Sequence, residues 1–249
     1  MTMGKIEIIN DKFNSTIFKL KFGNIAHYSN EITQKEIKAS IKAANCDFLA
    51  VKIDSKDVKA MYNFQRVGFY LVDTLLTYEF DSQKTAIPDE TFTCDFANYV
   101  TKSDVLRLAN IASHVFKIDR FHSDPNLDKH KSDDYYYNWV INSFNGYSDG
   151  AIVPVVGGQV VAFTTYKIND HDLDTSTMVL SAVDPNYMGQ GIYHNMIKKG
   201  TIELLKKSKK IRVGTQIDNI PVQRTWQKLG YKLIEVKYVL HYPIKRKHQ

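Results

Sequence analysis

The segment Thr177-Met178-Val179-Leu180-Ser181-Ala182-Val183-Asp184-Pro185-Asn186-Tyr187-Met188-Gly189-Gln190-Gly191-Ile192 decides how the chain is read. Its first seven residues are rich in β-branched and aliphatic side chains and predict a strand. Two glycines follow, and a helical pattern opens at Gly191 and runs to residue 207. Glycine takes positive φ cheaply and lets the main chain approach a ligand closely. A helix N-terminus offers unsatisfied N–H groups and favours negative charge. Strand, two glycines and helix in this order predict a cradle for a pyrophosphate. The segment lacks the lysine of GxxxxGK[ST] and the spacing GxGxxG, which excludes a nucleoside-triphosphatase loop and a dinucleotide fold. Asp184 is placed to cap the turn rather than to move protons. Lys198, Lys199, Lys206, Lys207, Lys209, Lys210 and Arg212, opposed in sequence only by Glu203, put a basic face on the helix that the cradle opens.

Working outward, a strand at 211–216, a helix at 220–229 and a strand at 231–242 complete the C-terminal part. Upstream lie strands at 151–156 and 159–166, joined by Gly157-Gly158, a pair suited to a two-residue hairpin turn. Thr101-x-x-Asp104 resembles a capping box for a helix to about residue 116, and an aromatic-rich helix is expected over 132–144. The polar, Pro88-containing stretch 81–90 reads as a linker. Before it, strands at 16–22, 48–53 and 69–80 alternate with helices at 33–44 and 58–67, the second ended by Gly68. The expected division is a smaller α/β half over 1–84 and a larger one over 91–249. The sequence echoes itself at an offset of 162, with Phe64-Gln65-Arg66-Val67-Gly68-Phe69 lying over Trp226-Gln227-Lys228-Leu229-Gly230-Tyr231.

Composition narrows the class. The 249 residues are 43% apolar and 12% aromatic, enough for a sizeable core and unlike a disordered chain. No apolar run approaches the ~18 residues of a membrane span, and Glu7 interrupts the N-terminus where a signal peptide would be apolar. A soluble cytoplasmic protein without membrane partners is expected. Cys46 and Cys94 are isolated, and His114, His122 and His130 form no ligand set, so no disulfide framework and no metal are expected. The formal charge of +6 admits nucleic acid as a partner, with a second basic cluster in Lys245, Arg246 and Lys247.

The pattern Asn186-x-x-Gly189-x-Gly191 after Val183 resembles the acetyl-CoA motif Q/R-x-x-G-x-G/A of the GCN5-related N-acetyltransferases (GNAT). Asn219-x-x-Val222-x-x-x-Trp226-x-x-x-Gly230-Tyr231 is similar to that superfamily's N-x-x-A-x-x-x-Y-x-x-x-G-F. Together the motifs cover about seventy residues in the right order. The loop Asp119-Arg120-Phe121-His122-Ser123-Asp124-Pro125 resembles the TDP-fucosamine acetyltransferase type, in which a degenerate GNAT half precedes a complete one.

The resemblance implies a GNAT fold, a mixed central sheet flanked by helices. It implies acetyl-CoA as co-substrate, held by Ala182, Val183, Met188, Gly189, Gln190, Gly191, Ile192, Asn219 and Trp226. It further implies direct attack by the neutral amine of a nucleotide-linked amino-deoxy sugar in a ternary complex. His241 and His122 are then candidate bases, and Ser181 a residue that could orient a base water. Arg120 would meet phosphate, Asp124 sugar hydroxyls, and Phe121 would stack on a ring. Trp226 stands where the family commonly has an acid tyrosine, and indole has no proton to give near neutrality; solvent or a tyrosine from another position must supply it. A homodimer is compatible with the reading, and nucleic acid is not among the partners it names. The rivals are acetylation of a peptide N-terminus, a polyamine or an aminoglycoside, a non-catalytic acyl-CoA-binding module, and a basic nucleic-acid binder.

Overall fold

A computed structural model describes residues 6–169, 172 and 174–244; the basic tail Lys245, Arg246 and Lys247 lies outside them. In chain order the elements are β1 (Ile6–Asn10), α1 (Lys12–Phe18), β2 (Phe22–Tyr28), α2 (Gln34–Ala43), β3 (Phe48–Asp54), α3 (Val58–Val67), β4 (Tyr70–Asp81), β5 (Asp95–Phe96), α4 (Lys102–Val115) and α5 (Lys129–Asn142). There follow β6 (Gly150–Ile152), β7 (Pro154–Val156), β8 (Gln159–Val160), β9 (Ala162–Ile168), β10 (Thr175–Val183), α6 (Ile192–Leu205), β11 (Lys210–Gln216), α7 (Ile220–Lys228) and β12 (Lys232–Pro243). Among the described residues no helix is long and apolar enough to cross a membrane.

The chain divides into two compact units, each a mixed sheet with helices against it. The first holds residues 6–75, 118–132 and 236–244; the second holds 76–117 and 133–235. In the first, β1 and β2 are antiparallel, β2 and β3 parallel, and β3 and β12 antiparallel. Its core joins Ile37, Leu49, Val51, Ile53, Phe64 and Leu240 from the strands and from the apolar faces of α2 and α3. In the second, β11 and β10 are parallel, while β9 is antiparallel to both β10 and β6. Phe163, Met178, Leu180, Met196, Ile197 and Val213 are buried there.

Several boundaries differ from the sequence reading, each for a local reason. Residues 16–22 are a helix end and a strand start rather than one strand. Asp11 caps α1 by accepting from the Asn14 N–H at 2.8 Å, and Lys19 closes it at φ 54°. Phe18 and Phe22, whose spacing mimicked alternation, pack ring to ring at 5.5 Å across that turn. The two strands expected over 151–166 are four. Gly157 and Gly158, at φ 58° and 77°, do turn β7 into β8, but that hairpin joins β5 in a small separate sheet, while β6 and β9 pair in the large one. Helix α5 starts earlier than expected, at Lys129, and ends in a wide turn through Gly146 at φ 100°.

The division of the chain also departs from a cut at 81–90. That stretch lies wholly within the second unit and is bound to it: the Ser82 N–H donates to the Lys209 carbonyl at 3.0 Å, and Asp89 pairs with Lys198. Its polar composition reflects a strap on the surface. The units exchange chain within β4 and β12, and residues 118–132 return to the first.

Candidate functional site

The cradle sits in the second unit. Asp184 ends β10 and caps the short 3₁₀ turn Pro185–Tyr187, accepting from the Asn186 N–H at 3.0 Å. Arg107 of α4 fastens this corner, donating from Nη2 to Asp184 at 2.8 Å and from Nε to the Val160 carbonyl at 2.9 Å. Gly189 and Gly191 both lie at φ 76°, and Gly191 is the N-cap of the fourteen-residue α6, without a side-chain cap. A Cβ at Gly189 would meet no protein atom within 4 Å. Positive φ therefore requires glycine here, and the main-chain N–H groups of α6's first turn face an open side where phosphate oxygens can approach.

Beside the cradle, β10 and β11 pair in parallel only from Thr175↔Lys210 to Met178↔Val213, although β10 continues to Val183 and β11 to Gln216. The strands part beyond Met178. On the other edge the register with β9 shifts between Met178 and Leu180. Parted parallel strands leave a row of N–H and C=O groups that an extended amide-bearing ligand can pair with, as an added strand would. A pyrophosphate cradle continuous with such a slot suits an acyl-pantetheine chain.

Three side chains converge at the helix side of this slot. Trp226 of α7 is buried against Tyr78, with ring centroids 5.5 Å apart. Burial pushes the Tyr193 phenol above its ordinary pKa, while interactions with Trp226 and Ser181 pull it back. The Trp226 indole N–H makes no hydrogen bond among the described residues. Ser181 donates to Thr164 Oγ1 at 2.7 Å. Asn219, just before α7, donates to Thr215 Oγ1 at 3.0 Å. Tyr193, Thr164 and Arg107 were not singled out from sequence. Tyr193 had a signal, an aromatic two positions after Gly191; Arg107 had none, since its partner is 77 residues away.

The basic run is mostly neutralised. Lys198 is buried and meets Asp89 at 3.0 Å; Lys199 and Lys206 share Glu203; Lys209 meets Asp174; Lys210 and Arg212 meet Glu79. Only Glu203 of these partners was visible as a sequence neighbour. A cationic face offered to a polyanion is not what α6 presents.

In the first unit, the loop expected to hold the acceptor is a brace. Asp119 accepts from the Phe121 N–H at 2.8 Å and pairs with His122 Nδ1. Asp124, fully buried, accepts from Tyr70 Oη at 2.8 Å, from the Asn126 N–H at 2.8 Å and from His241 Nδ1 at 2.7 Å. Burial would raise its pKa, and these hydrogen bonds outweigh that and hold it below the usual value. Asp124 therefore has no free oxygen to offer sugar hydroxyls. Phe121 is 1% exposed and packs on Phe18 at 5.1 Å, so it presents no stacking face. Arg120, half-buried, lays its guanidinium 4.5 Å from the Phe121 ring centre. His122 is tied to Asp119, whereas burial lowers the His241 pKa and its Nε2 has no partner among the described residues.

Residues 115–231 match the family model described as Acetyltransferase (GNAT) family. The matched segment is just under half of the chain, and the fold is that of solved GCN5-related N-acetyltransferases. Among individual relatives, the chain is 24% identical over 204 residues to the spore coat polysaccharide biosynthesis protein SpsD of Bacillus subtilis (strain 168). That alignment covers 78% of this chain and 66% of the relative, just under two thirds of its length. A GCN5-related N-acetyltransferase from Sphaerobacter thermophilus superposes with a TM-score of 0.62 at 9% identity, over 97% of this chain and 76% of that one. A GCN5-related glucosamine N-acetyltransferase region of a fungal multi-domain GH3 β-N-acetylglucosaminidase gives 0.63 at 13% identity, over 95% and 31%.

Proposed function

We propose that the protein transfers the acetyl group of acetyl-CoA to the amine of a nucleotide-linked amino-deoxy sugar, by direct attack in a ternary complex. The observation that carries the donor half is the pair of positive-φ glycines opening α6 beside the parted strands β10 and β11. The sugar half rests on the polysaccharide role in the name of the Bacillus relative and on the glucosamine acceptor named for the fungal region. The amine attacks the thioester carbonyl as the free base, the C–S bond breaks, and CoA leaves as its thiol. The ammonium proton passes to solvent; His241, wholly buried with its Nδ1–H held by Asp124 at 2.7 Å, serves as a brace rather than as the base. Arg120 is assigned an acceptor phosphate.

The test is incubation with acetyl-CoA and a panel of TDP- and UDP-amino sugars, with a peptide, a polyamine and an aminoglycoside as further arms. Thiol release and acetylated product are followed by mass spectrometry. Preference for an amino sugar nucleotide by at least about tenfold in kcat/KM, roughly 1.4 kcal/mol, is the expected result. Preference for any other arm transfers the assignment to that amine, and CoA binding without turnover on every arm leaves a binding module.

A further inference from the structure

We infer that Arg107 is a positioning residue for the donor: acting through Asp184, it holds the turn before α6 so that the cradle's N–H groups stay aimed at a pyrophosphate. The inference rests on the donor half of the reading above, and not on which amine accepts.

One edge of the Arg107 guanidinium places its N–H groups on two separate segments. Nε donates to the Val160 carbonyl at 2.9 Å and Nη2 to Asp184 Oδ2 at 2.8 Å. Val160 ends β8, where the chain leaves the small sheet for the large one, and Asp184 follows the last residue of β10, at the start of the cradle turn. The main chain is already joined here. The Asp184 N–H donates to the Val161 carbonyl at 2.8 Å, and the Val161 N–H donates to the Pro154 carbonyl at 3.1 Å. The two sheets therefore supply a fixed base, and Arg107 fixes the direction in which the Asp184 side chain leaves it. A planar fork suits this task, because it holds both acceptors at once where a point charge cannot.

From Asp184 the constraint passes along the turn. Its Oδ1 accepts from the Asn186 N–H and from Asn186 Nδ2, both at 3.0 Å, and the Asn186 carbonyl accepts from Gln190 Nε2 at 3.2 Å. Gln190 lies between Gly189 and Gly191. The far end of the turn is held by the helix and the surface strap: Asn195 Nδ2 donates to the Gly191 carbonyl at 3.1 Å and to Thr93 Oγ1 at 2.7 Å. At the near end Gly189, at φ 76°, has no side chain to lock it, so the aim of its N–H depends on the Asp184 corner. Charge acts in the same direction. Asp184 is buried, and an uncompensated carboxylate at the foot of the cradle would oppose an incoming pyrophosphate; the ion pair with Arg107 offsets it.

The experiment compares wild type with Arg107→Ala and Arg107→Lys, by calorimetry with CoA and by NMR of bound acetyl-CoA carrying an isotope label at the acetyl carbonyl carbon. Neither measurement needs an acceptor. In Arg107→Ala the Kd for CoA should rise about tenfold, because the groups that meet the pyrophosphate are no longer held in place. At saturating acetyl-CoA, the phosphorus resonances of the bound pyrophosphate should move toward their free positions while the acetyl carbon resonance stays at its bound position. A general loosening of the fold would displace both. Arg107→Lys restores the charge but not the fork, so its loss should be smaller. CoA that does not bind the wild type overturns the donor reading itself. CoA that binds wild type and Arg107→Ala alike, or phosphorus and carbon signals that move together or not at all, overturns the assignment of Arg107 alone. If Arg107→Ala melts too early to be measured, Arg107→Lys in a folded protein gives the same pair of readings; unchanged affinity there, or both signals displaced together, also counts against it.

Discussion

His241 Nδ1 donates to Asp124 Oδ2 at 2.7 Å, with both side chains wholly removed from solvent. The pair is held as carboxylate and neutral imidazole, because burial lowers the pKa of His241 while hydrogen bonds hold that of Asp124 down against its own burial. A histidine whose folded pKa is depressed contributes stability that is present above its unfolded value of 6.5 and is lost as pH falls toward the folded value. Thermal melts of the wild type should therefore decline from pH 6.5 downward. His241→Phe should flatten that decline. Removing the carboxylate with Asp124→Ala should cost at least about 1–3 kcal/mol at pH 7.5, the penalty for leaving the buried His241 Nδ1–H without its acceptor. A cost under about 1 kcal/mol would make the loop a surface turn after all.

Asp73 of β4 carries the opposite sign. Burial, with the Asp119 charge adding, lifts its carboxyl from 3.8 to about 6 despite the Thr74 and Arg120 main-chain N–H groups, and its Oδ2 has no partner among the described residues. A raised carboxyl contributes stability that is complete below 3.8 and is lost as pH rises through about 6. Asp73→Asn fixes the neutral form. Its melting temperature should match wild type near pH 4 and exceed it by a few degrees, roughly the effect of 1 kcal/mol or more, at pH 8. Equal melting temperatures at pH 8 would show that the carboxylate is adequately solvated.

How much of this was legible follows from where each signal resides. Helix α3 could be bounded to the residue because Gly68 closes it at φ 112°, a local feature. The turn into α6 was legible for the same reason: Gly189 and Gly191 both take positive φ there, which sequence records directly. Phe121 and Asp124 were read as available because their loop lacks periodicity. Their actual partners, Phe18 and His241, lie 103 and 117 residues away, and no local pattern encodes such pairing. The charge run misled likewise, since Asp89 and Glu79 come from other segments.

The cradle assignment predicts that Gly191→Val weakens acetyl-CoA binding steeply in a folded protein. Its Cβ would stand 3.8 Å from Asn195 Nδ2, an ordinary contact, so no overlap with the protein opposes the change. The opposition comes from φ 76°, which a β-branched residue holds at a cost of about 1–3 kcal/mol. Relaxing to negative φ would re-aim the N–H groups. Calorimetry should show at least about a tenfold loss of affinity, and an unchanged Kd would remove the glycine pair from the donor site.

The first unit repeats the parted-strand arrangement without a cradle. There β2 and β3 pair from Phe22↔Phe48 to Ile25↔Val51 and then run on to Tyr28 and Asp54 without pairing to each other, each still paired on its other edge. The helix that follows β2 has a closed N-terminus: Thr33 and Glu36 form a reciprocal capping box. The hollow at the strand ends is lined by Asp54 and Asp57 together with His27 and Lys56. The two carboxylates offset the Lys56 charge, and the capped N–H groups are already engaged, so a pyrophosphate finds no open donors there. Calorimetric titration with acetyl-CoA should give one site per chain, and a second equivalent site would show that both slots accept the donor.

The acceptor assignment has narrowed to Arg120, whose guanidinium lies over Phe121 while its main-chain N–H supports Asp73. Only the side chain is at stake in Arg120→Ala, because the main-chain bond survives. If the guanidinium meets an acceptor phosphate, its loss removes about 1.5–3 kcal/mol, and acceptor KM should rise about tenfold to a hundredfold with acetyl-CoA affinity nearly intact. Arg120→Lys should recover only part, since a point charge cannot reproduce a bidentate fork. The cation–π contact alone contributes about 0.5–1 kcal/mol at a partly exposed position, so a purely bracing Arg120 predicts a small fall in melting temperature with donor and acceptor affected alike. Steady-state kinetics on both substrates, with a melt of each variant, separate the two. Equal loss for donor and acceptor would remove the last loop residue from the sugar-nucleotide reading and turn it toward an uncharged or cationic amine.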